Sequence, residues 1–358
     1  MRYLLVLLFL VSCTPVDNTI EIGAILTLSG SGAHWGEGSQ QGAELAVQEI
    51  NAAGGVNGKQ LRISYEDNRN SDGKNAVAAL RKLLYEDKNI ILGPTWTPPG
   101  LAIAPIACEE QTLMISPTLG VAEFNELCDT NFNLWLHDFL ISEELGQYLY
   151  DKGYRKIAIV SSLQAWEQEQ AYAVKRGYER AGGTVAAFEL ADKNEMDYLA
   201  EATKITMSDP DAVVFTNIAF QHITAKRLHE LGEDAPFYSV LMDDERIKGA
   251  DGAFENTVVI TSFTPSDEFK EKFRATYGKE ADLGSDTAYD AIHLLARAMR
   301  ATNSEDTVQV AAHLNTVRIY TGASGTLVFD GKGGVTKEPK YMVVKNGKLA
   351  PLSSISFL

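Results

Sequence analysis

The sequence predicts an α/β protein of two doubly wound, parallel-sheet lobes. Three observations predict it. The chain has 358 residues, too many for one ordinary core and enough for two units of ~100–200 residues. Apolar, β-rich runs alternate with amphipathic helical runs from Ile20 onward, and such alternation builds parallel sheets covered by helices on both faces. The alternation passes through about two sets, each containing a helix that stops at a glycine pair, Gly54-Gly55 and Gly182-Gly183.

The elements follow in order. Residues 20–28 read as a strand. Gly30, Gly32, Gly36 and Gly38 then read as a glycine-rich loop with Trp35 at its tip, and Ser39 as the cap of a helix over 40–53. Strands are expected at 60–66, 90–93 and 113–116, with helices at 74–85 and 98–110, the last opened by proline where a missing N–H costs nothing. The second set has helices at 143–152, 167–181, 198–207 and 221–231. Its strands are 156–161, 184–189, 212–216, 236–241 and 257–261. Helices at 267–277 and 285–302, the segments 306–314 and 320–330, and a late strand at 340–345 complete the chain.

Composition excludes several classes. Hydrophobic residues make up 45% and charged residues 22%, values of a globular chain and not of a disordered one. The net charge of −16 leaves no basic face for tracking phosphates, so neither nucleic acid nor a membrane surface is an expected partner. Three cysteines cannot form a four-cysteine zinc site.

Residues 1–12 carry Arg2 ahead of an apolar run from Leu4 to Val11, the pattern of an export signal and too short to span ~30 Å of hydrocarbon. The run ends Leu10-Val11-Ser12-Cys13, which resembles the bacterial lipobox. The resemblance implies lipidation of Cys13, with residues 13–19 as the tether. No later stretch reaches ~18 uninterrupted apolar residues, so contact with the membrane is expected only through the lipid anchor, outside the cytoplasm. Cys108 and Cys128 would meet oxidising conditions there. A disulfide between them is expected, the alternative being two small buried thiols.

Several stretches together resemble the type I periplasmic solute-binding proteins, in their leucine/isoleucine/valine-binding branch. Residues 22–30 resemble the family's opening strand and Ser-Gly turn, and 42–58 its first helix with the Gly-Gly-x-x-Gly exit. Residues 91–94, 114–117, 156–160, 288–291 and 329–330 follow in the family's order. The resemblance implies two lobes joined by a hinge of three crossovers, near 138–142, 262–266 and 333–338. It places 20–138 plus 266–335 in the N-terminal lobe and 139–265 plus 336–358 in the C-terminal lobe. It also implies closure on a small molecule that is delivered to the permease of an ABC importer; a monomer is the default for such a tethered binder, and no cofactor is expected. A tethered sensor of the same fold, signalling to a membrane partner, is the alternative.

In open parallel sheets, ligands bind outside the carboxyl ends of the strands. The loops expected there contain Trp35, Trp96 and Trp166, whose indoles offer flat apolar area and one N–H each. Trp135 reads as structural. Thr97 stands where the resemblance implies a hydroxyl for a ligand carboxylate, and Thr118 lies in the third loop. Asp243 and Asp244 lie near the family's acidic position for a ligand ammonium. Two departures weaken an amino-acid grip. Pro98 and Pro99 remove two backbone donors, and Gly120 stands where the amino-acid binders carry a threonine. Phe220 can substitute for a tyrosine of the family, Asp286 and Tyr289 fall on the hinge side with a packing or solvent role as the alternative, and the six histidines read as surface or packing residues, His34 alone being a candidate to face the cleft.

No catalytic residue, cofactor or metal is expected. The first glycine loop is too long for a dinucleotide fingerprint and puts Trp35 where its third glycine belongs. There is no Gly-x-Ser-x-Gly elbow and no His-Glu-x-x-His pair.

Overall fold

The computed structural model describes residues 18–30, 32–69, 73–192 and 197–352. The export signal, Cys13 and most of the tether lie outside them. The first lobe opens with β1 (Thr19–Leu26), α1 (Ala33–Ala52), β2 (Gln60–Asp67), α2 (Gly73–Tyr85), β3 (Ile90–Leu92), α3 (Thr97–Glu109), β4 (Leu113–Ser116), α4 (Ala122–Asn125) and β5 (Asn131–Asn133). The second contains α5 (Asp138–Asp151), β6 (Lys156–Ser162), α6 (Ala165–Ala181), β7 (Thr184–Ala191), α7 (Leu199–Met207), β8 (Ala212–Phe215), α8 (Gln221–Glu230), β9 (Phe237–Ser239), α9 (Asp244–Gly249) and β10 (Val258–Thr261). There follow α10 (Asp267–Tyr277), α11 (Ser285–Thr302), α12 (Thr307–Leu314), β11 (Ile319–Gly322), β12 (Gly325–Phe329), β13 (Val335–Thr336), β14 (Lys340–Lys345) and β15 (Lys348–Pro351).

Both lobes use one topology. The first sheet runs β2-β1-β3-β4-β5 and is parallel throughout. The second runs β7-β6-β8-β9-β10, also parallel, and is extended by antiparallel β14 and β15. In each, neighbouring connections leave in opposite directions at the first strand, between β1 and β3 and between β6 and β8. Those are the switch points where a crevice opens.

The strands are apolar on both faces because helices cover both. In the first lobe one core joins β1, β3 and β4 to α1, α11 and α12, and includes Leu327, Phe329 and Val335 of the small β11-β12-β13 sheet. The other face packs on α2 and α3. In the second lobe α5 and α6 cover one face, and α7, α8 and α9 the other. The chain passes between the sheets at residues 134–137, 262–266 and 337–339. Asp290 fastens the crossing region by accepting from the amides of Ala323 and Ser324, both at 2.8 Å, and from the Ser324 hydroxyl at 2.6 Å. Cys108 of α3 and Cys128 ahead of β5 are joined as a disulfide with Cα atoms 5.9 Å apart. Among the described residues no helix is long and apolar enough to cross a membrane.

The main local correction concerns the glycine-rich segment. It is not a loop up to Ser39: α1 begins at Ala33, so Trp35, Gly36 and Gly38 are helical. Propensity disfavours this, but packing overrides it. A Cβ on Gly36 would overlap the Thr27 carbonyl, so only glycine lets the helix start this close to the end of β1. Ser39 caps nothing; its hydroxyl donates to the Trp35 carbonyl one turn earlier at 3.0 Å.

Candidate solute site between the lobes

The carboxyl ends of the two sheets face one another and touch. The contact is a continuous chain of side chains. Trp96, at the end of the loop after β3, covers Gly32 and lies against Trp35, ring centroids 5.1 Å apart. Trp35 lies against His34 at 4.9 Å. His34 Nε2 then reaches across to Asp243 Oδ2 of the second lobe at 3.5 Å. Asp243 in turn holds Arg246, whose Nη1 stands 3.0 Å from the same oxygen.

Asp243 occupies this place because it caps α9, its Oδ1 accepting from the Arg246 amide at 2.9 Å. Burial pushes its carboxyl up, but His34 and Arg246 outweigh that effect and hold it below its ordinary value. Asp244 is exposed on the first turn of α9 and takes no part in the chain of contacts. Asp282, in the turn before α11, lies close enough to feel both His34 and Asp243. Burial raises its carboxyl, opposed by the Leu283 amide and by His34.

Sequence reasoning missed a second cluster at the first crossover. Asp138, the first residue of α5, accepts from the Trp135 indole N–H at 2.7 Å on Oδ1 and from the Trp166 indole N–H at 2.8 Å on Oδ2. Its amide donates to the Gly120 carbonyl at 3.1 Å. Gly120 is required here, since a Cβ would overlap the Asp138 carboxylate. The space left by the missing threonine is thus filled from the other side of the crossover. Trp166, expected to lie against a ligand, also packs on the second lobe's core.

Burial pushes the Asp138 carboxyl from 3.8 up to about 6, against the pull of the two indoles. The folded state therefore keeps this proton longer than the unfolded chain. Its contribution to stability is intact below the ordinary value of 3.8 and is lost as pH rises through 6. Asp138→Asn should remove that slope. Urea melts at pH 4.5 and 7.5 are expected to show a pH-dependent loss smaller in the variant by on the order of 2 kcal/mol. Equal losses in both proteins would place the proton elsewhere.

The remaining expectations divide. Thr97 is the first residue of α3, and Trp96, not Thr97, holds the cap position, without a side-chain hydrogen bond. With Pro98 and Pro99 lacking N–H groups and the Gly100 amide bound to the Trp96 carbonyl at 3.0 Å, this helix start has few donors left for an anion. The Thr118 hydroxyl donates to the Thr95 carbonyl at 3.0 Å and holds two loops of its own lobe together. Phe220 lies against Tyr198 with ring centroids 5.7 Å apart. Arg246 and Glu167 were not foreseen. Glu167 is buried, accepts from the Ser162 hydroxyl and, at 3.1 Å, from the Ala219 amide, and ties together two cleft loops of the second lobe. Burial raises its carboxyl, opposed by those bonds and by Arg246. The i,i+3 spacing of Asp243 and Arg246 was the one signal for Arg246 in the sequence. Among the described residues no group of three or more His, Cys, Asp or Glu side chains is placed to hold a metal ion.

The family model described as "Periplasmic binding protein" matches residues 19–348. The chain belongs to the periplasmic binding protein family. A relative of this binding protein, the Leu/Ile/Val-binding protein homolog 2 of Brucella abortus, is 26% identical over 340 residues, covering 91% of this chain and 90% of the relative. The branched-chain amino acid transporter substrate binding protein LivJ of Streptococcus pneumoniae, solved in complex with isoleucine, superposes with a TM-score of 0.85 at 25% identity. That match covers 92% of this chain and 97% of LivJ. A solute binding protein of R. palustris, solved in complex with benzoate, shares the fold with a TM-score of 0.83 at 19% identity, covering 93% and 95% of the two chains. The fold of the binding protein, with two parallel-sheet lobes, is shared with both solved structures.

Proposed function

We propose that this binding protein is an exported, lipid-tethered receptor that captures a small polar solute, an amino acid or a related carboxylate or amide, and delivers it to an ABC permease. The observation that carries the reading is the contact of His34 with Asp243 at 3.5 Å. It joins the two switch-point edges, so a solute entering there is held by both lobes at once. A ligand that touches both lobes favours the closed arrangement by its differential affinity for it, and no bond need be made or broken. The relatives named as binding proteins, and the transporter named with LivJ, support the permease as destination. The lipobox-like ending at Cys13 supports the tether.

The test is a thermal-shift screen of the chain beginning after Cys13 against amino acids, carboxylates, aromatic acids, amides and amines. A ligand at about 100 times its Kd adds ~2.7 kcal/mol and moves the Tm by a few degrees. With a responding ligand in hand, Trp166→Ala is expected to weaken binding roughly tenfold or more, ~1.4 kcal/mol, because it removes an indole face and one of the two donors on Asp138. Unchanged affinity by calorimetry would take Trp166 out of the site. A screen silent in every class would contradict the capture reading.

A further inference from the structure

The chain of contacts across the cleft carries an uneven supply of hydrogen-bonding groups. Its carboxylate Asp243 is spent within the protein, where it caps α9, pairs with Arg246 and faces His34, and the neighbouring Asp282 accepts from the Leu283 amide. Asp138, also beside the cleft loops, already holds two indole N–H groups, and Glu167 is bonded to Ser162 and Ala219. Three donors along this line of contacts remain without a partner. Among the described residues, the Trp35 and Trp96 indole nitrogens and Arg246 Nε are buried and have no hydrogen-bond partner. A buried donor left unmet costs about 1–3 kcal/mol, and more when it is charged. These groups lie along the two faces that separate when the lobes open, where a ligand can meet them.

We propose that the cleft selects an organic acid without an α-ammonium group, and that Arg246 sets this preference. The inference rests on the capture reading above and narrows its ligand class. A ligand carboxylate or carbonyl supplies the acceptors that the indoles and the guanidinium lack, and Arg246 suits planar, bidentate recognition of a carboxylate. A ligand ammonium finds the opposite. The Asp243 carboxylate it would seek is neutralised by Arg246, and the space beside Gly120 is filled by Asp138. The flat faces of Trp35 and Trp96 suit an apolar or aromatic body behind the carboxylate.

The test uses matched pairs that differ only at the α-position: leucine against 4-methyl-2-oxopentanoate, and phenylalanine against 3-phenylpropanoate. Calorimetry on the tag-free chain beginning after Cys13 is expected to give the ammonium-free member at least roughly tenfold tighter binding in each pair. Arg246→Gln removes the guanidinium and frees Asp243, so the preference should move at least roughly tenfold towards the amino acid. This ratio is read within one protein and does not depend on the variant's stability; Arg246→Lys, which keeps the charge, should move it less. Tighter binding of the amino acid in either pair would overturn the inference and leave the capture reading standing. So would an unchanged ratio in Arg246→Gln. Silence towards both members of both pairs also overturns it, and the capture reading falls with it only if the wider screen is silent too.

Discussion

Asp243→Ala is expected to cost on the order of 3 kcal/mol of folding stability and to leave solute binding severely weakened. Asp243 and Arg246 are only 10% and 11% exposed at their side chains. Removing the carboxylate strands a buried guanidinium, the change that makes breaking a buried pair so much costlier than replacing it whole. It also removes the cap of α9, a loss of about 1 kcal/mol by itself, and ends the contact between His34 and the second lobe. Glu245, 3.3 Å from the same Arg246 nitrogen but exposed, shares part of the charge and keeps the loss at the lower end of the range. Urea denaturation at pH 7 measures it. The double variant Asp243→Ala, Arg246→Met should recover part of the loss because no charge is left stranded. A loss below about 1 kcal/mol would mean a solvated pair, worth no more than surface pairs are.

Gly120→Thr is expected to be nearly as damaging, although the amino-acid binders that this chain resembles carry threonine there. The new Cβ must displace the Asp138 carboxylate. That breaks both indole bonds and shifts the start of α5, which the Gly120 carbonyl fixes through the Asp138 amide. Overpacking of this kind costs about 1–3 kcal/mol before the lost hydrogen bonds are counted. Both Trp135 and Trp166 lose their partner, so intrinsic fluorescence should change along with the melting temperature. If the variant kept the parent's melting temperature and emission spectrum, Asp138 would not be filling the space beside Gly120.

The residues that local pattern could place were those whose neighbours lie near in sequence. Strands such as 156–161 and 212–216 were legible because continuous apolar runs can be buried only between two helical layers, and the repeat of βα units fixed the parallel order. Long-range contact decided the rest. Gly36 and Gly38 argue for a loop until the Thr27 carbonyl is known to lie against the helix. Gly120 was legible as a missing threonine, but not as room for Asp138, which is 18 positions further along the chain. Asp243 was legible as an acid in a cleft loop, and the resemblance assigned it to a ligand. Its pairing with Arg246 shows that much of its charge is already answered. Short β5 and β15 escaped notice because Asn131-Phe132-Asn133 and Lys348-Leu349-Ala350-Pro351 contain no continuous apolar, β-branched run of the kind that marked the equally short β3 and β8.

The measurement that tests capture by closure most directly is small-angle X-ray scattering of the chain beginning after Cys13, with and without a tight ligand from the screen. On the capture reading proposed above, the His34–Asp243 contact belongs to the closed arrangement. The free protein should therefore show a larger radius of gyration than this structure, and saturation with ligand should contract it to the value the structure gives. A ligand that binds tightly and leaves the scattering unchanged would contradict capture between the lobes.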